Sequence, residues 1–132
     1  MAAKRAPNAS PPPETAPGDV ERHLPLTHLS YHTLLALAPG PLHGYGILKE
    51  IASLTGVLEL ETGTLYTAIR RLAAAGLIEA SPPPGEGADA RRRYYRLTTL
   101  GARVLRAESE RLAALVESAR ERDAFSLASE KG

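Results

Sequence analysis

The apolar positions of this chain change period along its length, and the changes mark out its elements. Over residues 27–38, Leu29, Leu34, Leu35, Leu37 and Ala38 form a helical stripe, and Pro39-Gly40-Pro41 stops it. HGYGILKEIASLTG follows, with Ile47, Leu48, Ile51 and Leu54 at helical spacing and Gly56 suited to end a second helix. A short acidic link, VLELE, leads into a third helix over 62–75. At about 100° per residue its Leu65, Ala68, Ile69 and Leu72 share one face, and Gly76 ends it. The period then drops to two. LIEA (77–80) and RRYYRLT (92–98) read as strands, and SPPPGEGADA between them has the composition of an exposed loop. Alternation puts Tyr95 and Leu97 on one strand face and Tyr94 and Arg96 on the other. Tyr95 is thereby the expected core residue and Tyr94 the expected exposed one. Thr98 is placed to N-cap a long last helix that reaches about residue 122.

The region before the first helix follows a different rule. Residues 1–24 are rich in Pro, Ala and small polar groups, with Pro11, Pro12 and Pro13 in a row. So little apolar surface cannot offset the entropy of ordering, and a disordered arm is expected there.

Helix, helix, helix, hairpin, long helix is the order that results. It predicts an α+β fold, mainly α: a winged helix-turn-helix domain over 25–98, a dimerisation helix over 99–123 and a flexible tail over 124–132. A helix pair with a short link, followed directly by a hairpin, is the plan in which the second helix of the pair enters the DNA major groove. The last helix would run about 36 Å at 1.5 Å per residue. Its Leu105, Leu112, Leu115 and Ala119 follow the spacing of a helix–helix seam, widened by Val104 and Val116. One reading folds that seam back onto the chain's own first helix. A second subunit is expected instead, because so small a domain can hardly cover so long a stripe. Glu108 falls inside the seam, where it can pair with Arg111, meet a basic group across the dimer, or turn outward.

Composition removes whole classes of function. The chain has 132 residues, room for one small domain, and it has no Cys, which excludes disulfides, thiolate metal sites and thiol nucleophiles. No apolar run approaches the roughly 20 residues that cross a bilayer, and the start carries no apolar signal core. No membrane association is expected, and the expected compartment is the cytoplasm. His28 and His32 stand four apart, a spacing able to hold a metal, but nothing nearby supplies a third ligand, so no metal or other cofactor is expected. Ser30 and Ser53 have no His–carboxylate partners that the sequence can justify, and no enzymatic activity is expected. His43 can either touch a phosphate or serve the start of the second helix.

Charge changes the picture more. The net charge is +1, yet residues 65–106 hold eight Arg against Glu79, Glu86 and Asp89. A polyanion would meet a basic patch on a nearly neutral protein. Opposite the apolar face of the third helix stand Thr67 and Arg70, flanked by Tyr66 and Arg71. Arg91, Arg92, Arg93 and Arg96 sit on the hairpin. Guanidinium groups suit guanine edges and phosphates, and hydroxyls suit phosphate oxygens. Double-stranded DNA is the expected partner, and a protein-interaction module that meets an acidic protein through the same Arg surface is the alternative.

Three motifs in order then carry a resemblance. PLHGYGI, GTLYTAIRRLAAAGLIE and RRRYYRLTTLG resemble the signature of the PadR family of bacterial transcriptional regulators over residues 26–122. The resemblance implies a winged-helix domain, a C-terminal dimerisation helix, a homodimer and repression at palindromic operators. It makes Gly63-Thr64-Leu65-Tyr66 the opening of the recognition helix and assigns Arg92, Arg93 and Tyr94 to the wing. The candidate DNA contacts are Tyr45, Thr64, Tyr66, Thr67, Arg70, Arg71, Arg92, Arg93 and Tyr94. The candidate dimerisation residues are Leu105, Leu112, Leu115, Val116 and Ala119. One departure is local: the family often has Ser-Pro ahead of that Gly, and Glu61-Thr62 stands here. The family also permits a small-molecule effector between subunits, whose identity stays unknown. This chain has no Trp and no aromatic in the last helix before Phe125 to stack on one.

Overall fold

The computed structural model describes residues 18–56 and 61–127. Side-chain caps open three of its helices, two of them from Thr, a preferred residue at such positions. Thr27 accepts the Ser30 N–H at 3.1 Å and starts α1, His28–Leu37. His43 accepts the Gly46 N–H on Nδ1 at 2.9 Å and starts α2, Gly44–Thr55, which Gly56 closes at φ 75°. Thr98 accepts the Gly101 N–H at 2.9 Å and starts α4, Thr99–Glu121. The remaining helix, α3, spans Thr62–Ala74 behind Glu61, whose exposed side chain makes no capping bond. The acidic link VLELE lies, but for its last residue, outside the described residues.

The sheet has a strand that the sequence hides. β1 (Leu42–His43) pairs antiparallel with β3 (Tyr94–Leu97), and β3 pairs with β2 (Ile78–Ser81), in the order β1-β3-β2. Two residues are too few to display a period, so Leu42 and His43 had no strand signature of their own. Their presence corrects the reading of the two tyrosines. Tyr94 is buried, 5% exposed, whereas Tyr95 is half-buried against the main core. The side of β3 expected to face solvent is covered at Tyr94 by the His43 ring, steeply inclined to it with centroids 5.3 Å apart. The Tyr94 hydroxyl also accepts the Asp89 N–H at 3.0 Å. Tyr94 therefore builds the hairpin from inside and is withdrawn as a surface contact.

One core joins Leu34 and Leu37 of α1, Ile47 and Ile51 of α2, Leu65, Ile69 and Leu72 of α3, Leu77 and Ile78, and the start of α4. Val104 is fully buried there and Leu105 is 8% exposed. Leu105 thus belongs to the chain's own core and not to a seam awaiting a partner. The reading that packs the last helix back on the first is right for its opening turns. Beyond them Leu115 and Val116 are 54% and 44% exposed, and Leu112 and Ala119 are half-buried.

Glu108 marks the division. It is 1% exposed, accepts the Leu26 N–H at 2.9 Å, and takes Arg111 in two bonds of 2.6 and 2.9 Å. Beside it the Tyr31 hydroxyl and Ser109 Oγ are 2.8 Å apart. These bonds hold the segment before α1 onto α4, and the expected arm is itself ordered at its C-terminal end. Residues 18–24 include a 3-10 turn, Glu21–His23, with Val20 and Leu24 packed on the core and Asp19 buried. The rest of the arm lies outside the described residues. At the other end a 3-10 turn, Ala124–Ser126, brings Phe125 under the Arg120 guanidinium, 5.2 Å from the ring centroid.

The seat of α4 explains one glycine. A Cβ on Gly101 would overlap the Leu77 carbonyl oxygen and lie 2.8 Å from its carbon. That carbonyl already accepts the Thr98 N–H at 3.1 Å, so neither side can yield without breaking the turn from β3 into α4. Gly101→Ala should therefore cost about 1–3 kcal/mol, as overpacking does in a filled site. Gly40→Ala, with nothing within 4 Å, is the control. Equal denaturant midpoints for the two variants would refute this account.

Candidate nucleic-acid interface

α3 buries Leu65, Ile69 and Leu72 and presents Thr64, Tyr66, Arg70 and Arg71 outward, with Thr67 half-buried between. The outward face is ordered internally. Thr67 Oγ1 donates to the Gly63 carbonyl at 3.0 Å and accepts from Arg70 Nη2 at 3.2 Å. The Arg70 guanidinium is thus held along the helix face by a neutral partner, its charge uncompensated. Among the described residues Arg70, Arg71 and Arg93 form no ion pair.

Tyr66 sets how α3 sits on α2. Its phenol lies against Gly44, where a Cβ would come within 2.6 Å of Cζ and 2.9 Å of Cε1. Only a residue without Cβ lets the ring approach so closely. Tyr66 is still 37% exposed, so the same ring both docks the helix and reaches the surface.

The hairpin docks on the same helix start. Arg92 places its guanidinium carbon 5.8 Å from the Tyr45 ring centroid and Nη1 3.4 Å from His43 Nδ1. Lys49 Nζ stands 5.7 Å from the Tyr45 ring, which also stacks with His43 at 6.5 Å. Tyr45 is 54% exposed and carries two cations close to its ring. The first residues of α2 are therefore the junction where α3 arrives through Tyr66 and the hairpin through Arg92.

The three acids of the region are distributed unevenly. Glu79 holds Arg96 at 2.9 Å across the β2–β3 pair. Asp89 meets Arg91 at 3.3 Å and Arg92 at 3.5 Å. The Arg91 N–H and side chain, with help from Arg92, hold the Asp89 carboxyl below the usual carboxylate range. Glu86 is exposed and forms no ion pair among the described residues.

Of the expected contacts, the structure brings Tyr45, Tyr66 and Arg92 to one junction and keeps Thr64, Arg70, Arg71 and Arg93 exposed. It removes Tyr94 from the surface. Sequence reasoning missed Gly44 and Asp89, because the first matters only through Tyr66 and the second only through the fold of its loop. His43 takes the helix-start role. Away from this surface, His28 and His32 stack at 6.0 Å, and His32 Nδ1 lies 2.7 Å from the His28 carbonyl. No group of three or more His, Cys, Asp or Glu among the described residues could hold a metal. No helix among them is long and apolar enough to cross a membrane.

Comparison with known proteins places this geometry. A model of the transcriptional regulator PadR-like family matches residues 33–107, more than half of the chain. A PadR family transcriptional regulator from Eggerthella lenta is similar in structure, with TM-score 0.53 and 32% identity over 67% of this chain and 78% of that one. A transcriptional regulator from Clostridium thermocellum has TM-score 0.57 and 27% identity, covering 80% of this chain and 96% of that one. A PadR family transcription regulator from Clostridium difficile has TM-score 0.61, covering 72% and 97%. At 23% identity it shows the likeness of fold alone. An uncharacterized 37.1 kDa protein in a Streptomyces fradiae transposon is 39% identical over 82 residues, 62% of this chain. The chain spans 22% of that relative's length.

Proposed function

This chain belongs to the PadR-like family of transcriptional regulators, and we propose that it acts in the cytoplasm as a homodimer that represses transcription by occupying a palindromic operator. One observation carries the DNA contact. The outward face of α3 holds Arg70 and Arg71 without ion pairs among the described residues, and α3 and the Arg-rich hairpin are anchored on the same turn of α2. In this reading α3 enters the major groove, Arg70 reads a base edge, Thr64 and Tyr66 hold phosphates, and Thr67, whose proton goes to the Gly63 carbonyl, steadies Arg70. Arg71 and Arg93 supply charge toward the backbone, and Arg92 steadies the wing against Tyr45.

The dimer reading rests on the far half of α4. Leu115 and Val116 are exposed side by side, with Leu112 and Ala119 on the adjoining turns. A second copy of the helix would cover them, and a two-fold pair of recognition helices would then meet half-sites about one turn of DNA apart.

Footprinting on DNA upstream of the protein's own gene tests the whole reading, since a protected palindrome is the expected result. Two substitutions divide the roles. Arg70→Ala should cost on the order of 1–3 kcal/mol per half-site and relax preference at particular base pairs. Arg93→Ala should weaken binding to all duplexes alike and flatten the salt slope by roughly 0.9 for each phosphate that the variant no longer neutralises. If folded Arg70→Ala and Arg93→Ala proteins bind every duplex like wild type, the Arg surface meets an acidic protein instead.

A further inference from the structure

Formal charge overstates what the hairpin can offer to a phosphate. Of its four Arg, Arg96 is engaged by Glu79, and Arg91 and Arg92 are both engaged by Asp89, which leaves Arg93 alone without an ion pair among the described residues. Asp89 is also placed by the loop and not merely near it. Its N–H donates to the Tyr94 hydroxyl at 3.0 Å, its Oδ1 accepts the Arg91 N–H at 3.0 Å, and its carbonyl accepts the Arg92 N–H at 3.1 Å. The carboxylate is therefore held between the two guanidiniums by the hairpin's own backbone, while the Arg91 side chain remains 90% exposed.

We propose that Asp89 is an attenuator of the wing: it keeps Arg91 and Arg92 partly neutralised, so that DNA of any sequence must displace a carboxylate to gain their charge. The inference rests on the DNA-binding reading and adds to it a residue that lowers affinity without touching DNA. A phosphate recruits Arg91 only by breaking its pair with Asp89, so the net gain and the counterion release are both reduced. Arg93 has no such competitor and contributes in full. Non-specific binding, which is nearly all electrostatic, is the quantity that Asp89 suppresses.

The test is the salt dependence of full-length protein binding to a duplex of unrelated sequence. Asp89→Asn keeps the Oδ1 acceptor for the Arg91 N–H and removes the charge. It should bind about three- to tenfold tighter at low salt, since each exposed pair released is worth a few-fold, and its salt slope should steepen. Glu86→Gln removes the same formal charge three residues earlier from a side chain that holds no Arg, and should change affinity by less than about twofold. A second arm leaves the turn intact: in the wild-type background Arg91→Ala should cost less affinity than Arg93→Ala, and in the Asp89→Asn background the two costs should converge. Equal gains from Asp89→Asn and Glu86→Gln would overturn the proposal, because general charge would then explain them. Weaker binding by Asp89→Asn, or equal costs of Arg91→Ala and Arg93→Ala in wild type, would overturn it as well. Should the wild-type protein bind no duplex at all, the DNA-binding reading fails with it. If wild type binds and Asp89→Asn binds identically, only the role of Asp89 fails.

Discussion

Changing Leu115 and Val116 together to Glu is expected to give a folded monomer with operator affinity near that for random DNA. Both side chains are already about half exposed in a single chain, so charge there should leave the core intact. In a two-fold dimer the same positions lose water on both subunits. Burying a Leu or Val fully contributes about 1.5–3 kcal/mol, and four carboxylates at one interface would instead have to be desolvated without partners. The dimer should dissociate at working concentrations. Each monomer would retain α3 and its hairpin but lose the coupling of two half-sites, and affinity should fall toward about 10⁻⁴–10⁻⁶ M at physiological salt. Sedimentation and operator titration of the variant beside wild type read both effects. A variant that remains dimeric with unchanged operator affinity would show that the far half of α4 is not where the subunits meet.

The second large effect is expected at Glu108, on stability. Glu108→Ala leaves the part-buried Leu26 N–H without its acceptor and Arg111 without its partner. Breaking a fully buried pair costs about 3–5 kcal/mol. The Arg111 side chain is 40% exposed and water can take it over, so the cost here should lie near the lower end of that range. The pH dependence follows from the same bonds. Hydrogen bonds from Arg111 lower the Glu108 carboxyl below its ordinary value, with the Leu26 N–H adding to them, and they outweigh the burial that would raise it. A carboxyl with a lowered folded value contributes stability that is complete above its unfolded pKa, about 4.3. That contribution is lost as pH falls through the folded value. Below the ordinary Glu range, wild type should therefore lose stability faster with acidification than Glu108→Gln does. Parallel denaturation profiles from about pH 6 down to the acid transition would refute the linkage.

Gly101→Ala and Glu108→Ala are read from the structure alone, and they show where the sequence stopped being informative. Helices, caps and breaks were legible because their causes are local. Thr98 caps an amide three residues on, Gly56 ends a helix that its neighbours began, and the apolar faces of α2 and α3 repeat within one turn. The charge excess over residues 65–106 was legible for the same reason, being a count along the chain. Three ordered motifs then pointed to the family to which the chain belongs.

The tertiary structure decided everything that depends on partners distant in sequence. Tyr94 and Tyr95 could not be ranked by alternation, since the ring of His43, cross-strand from Tyr94, packs on the face expected to be open. Leu105 and Leu115 share one stripe on α4, but only packing shows that the first lies in the chain's own core and the second outside it. Glu108 finds its acceptor role with Leu26, 82 residues away, and Arg92 approaches His43 across 49. Gly44 matters because Tyr66 lies on it, and neither residue carries a mark of the other. Periodicity and capping report backbone bonds that close within about four residues. Which side chain faces which follows from how the helices cross and the strands register, and that is determined by the shape of the whole core.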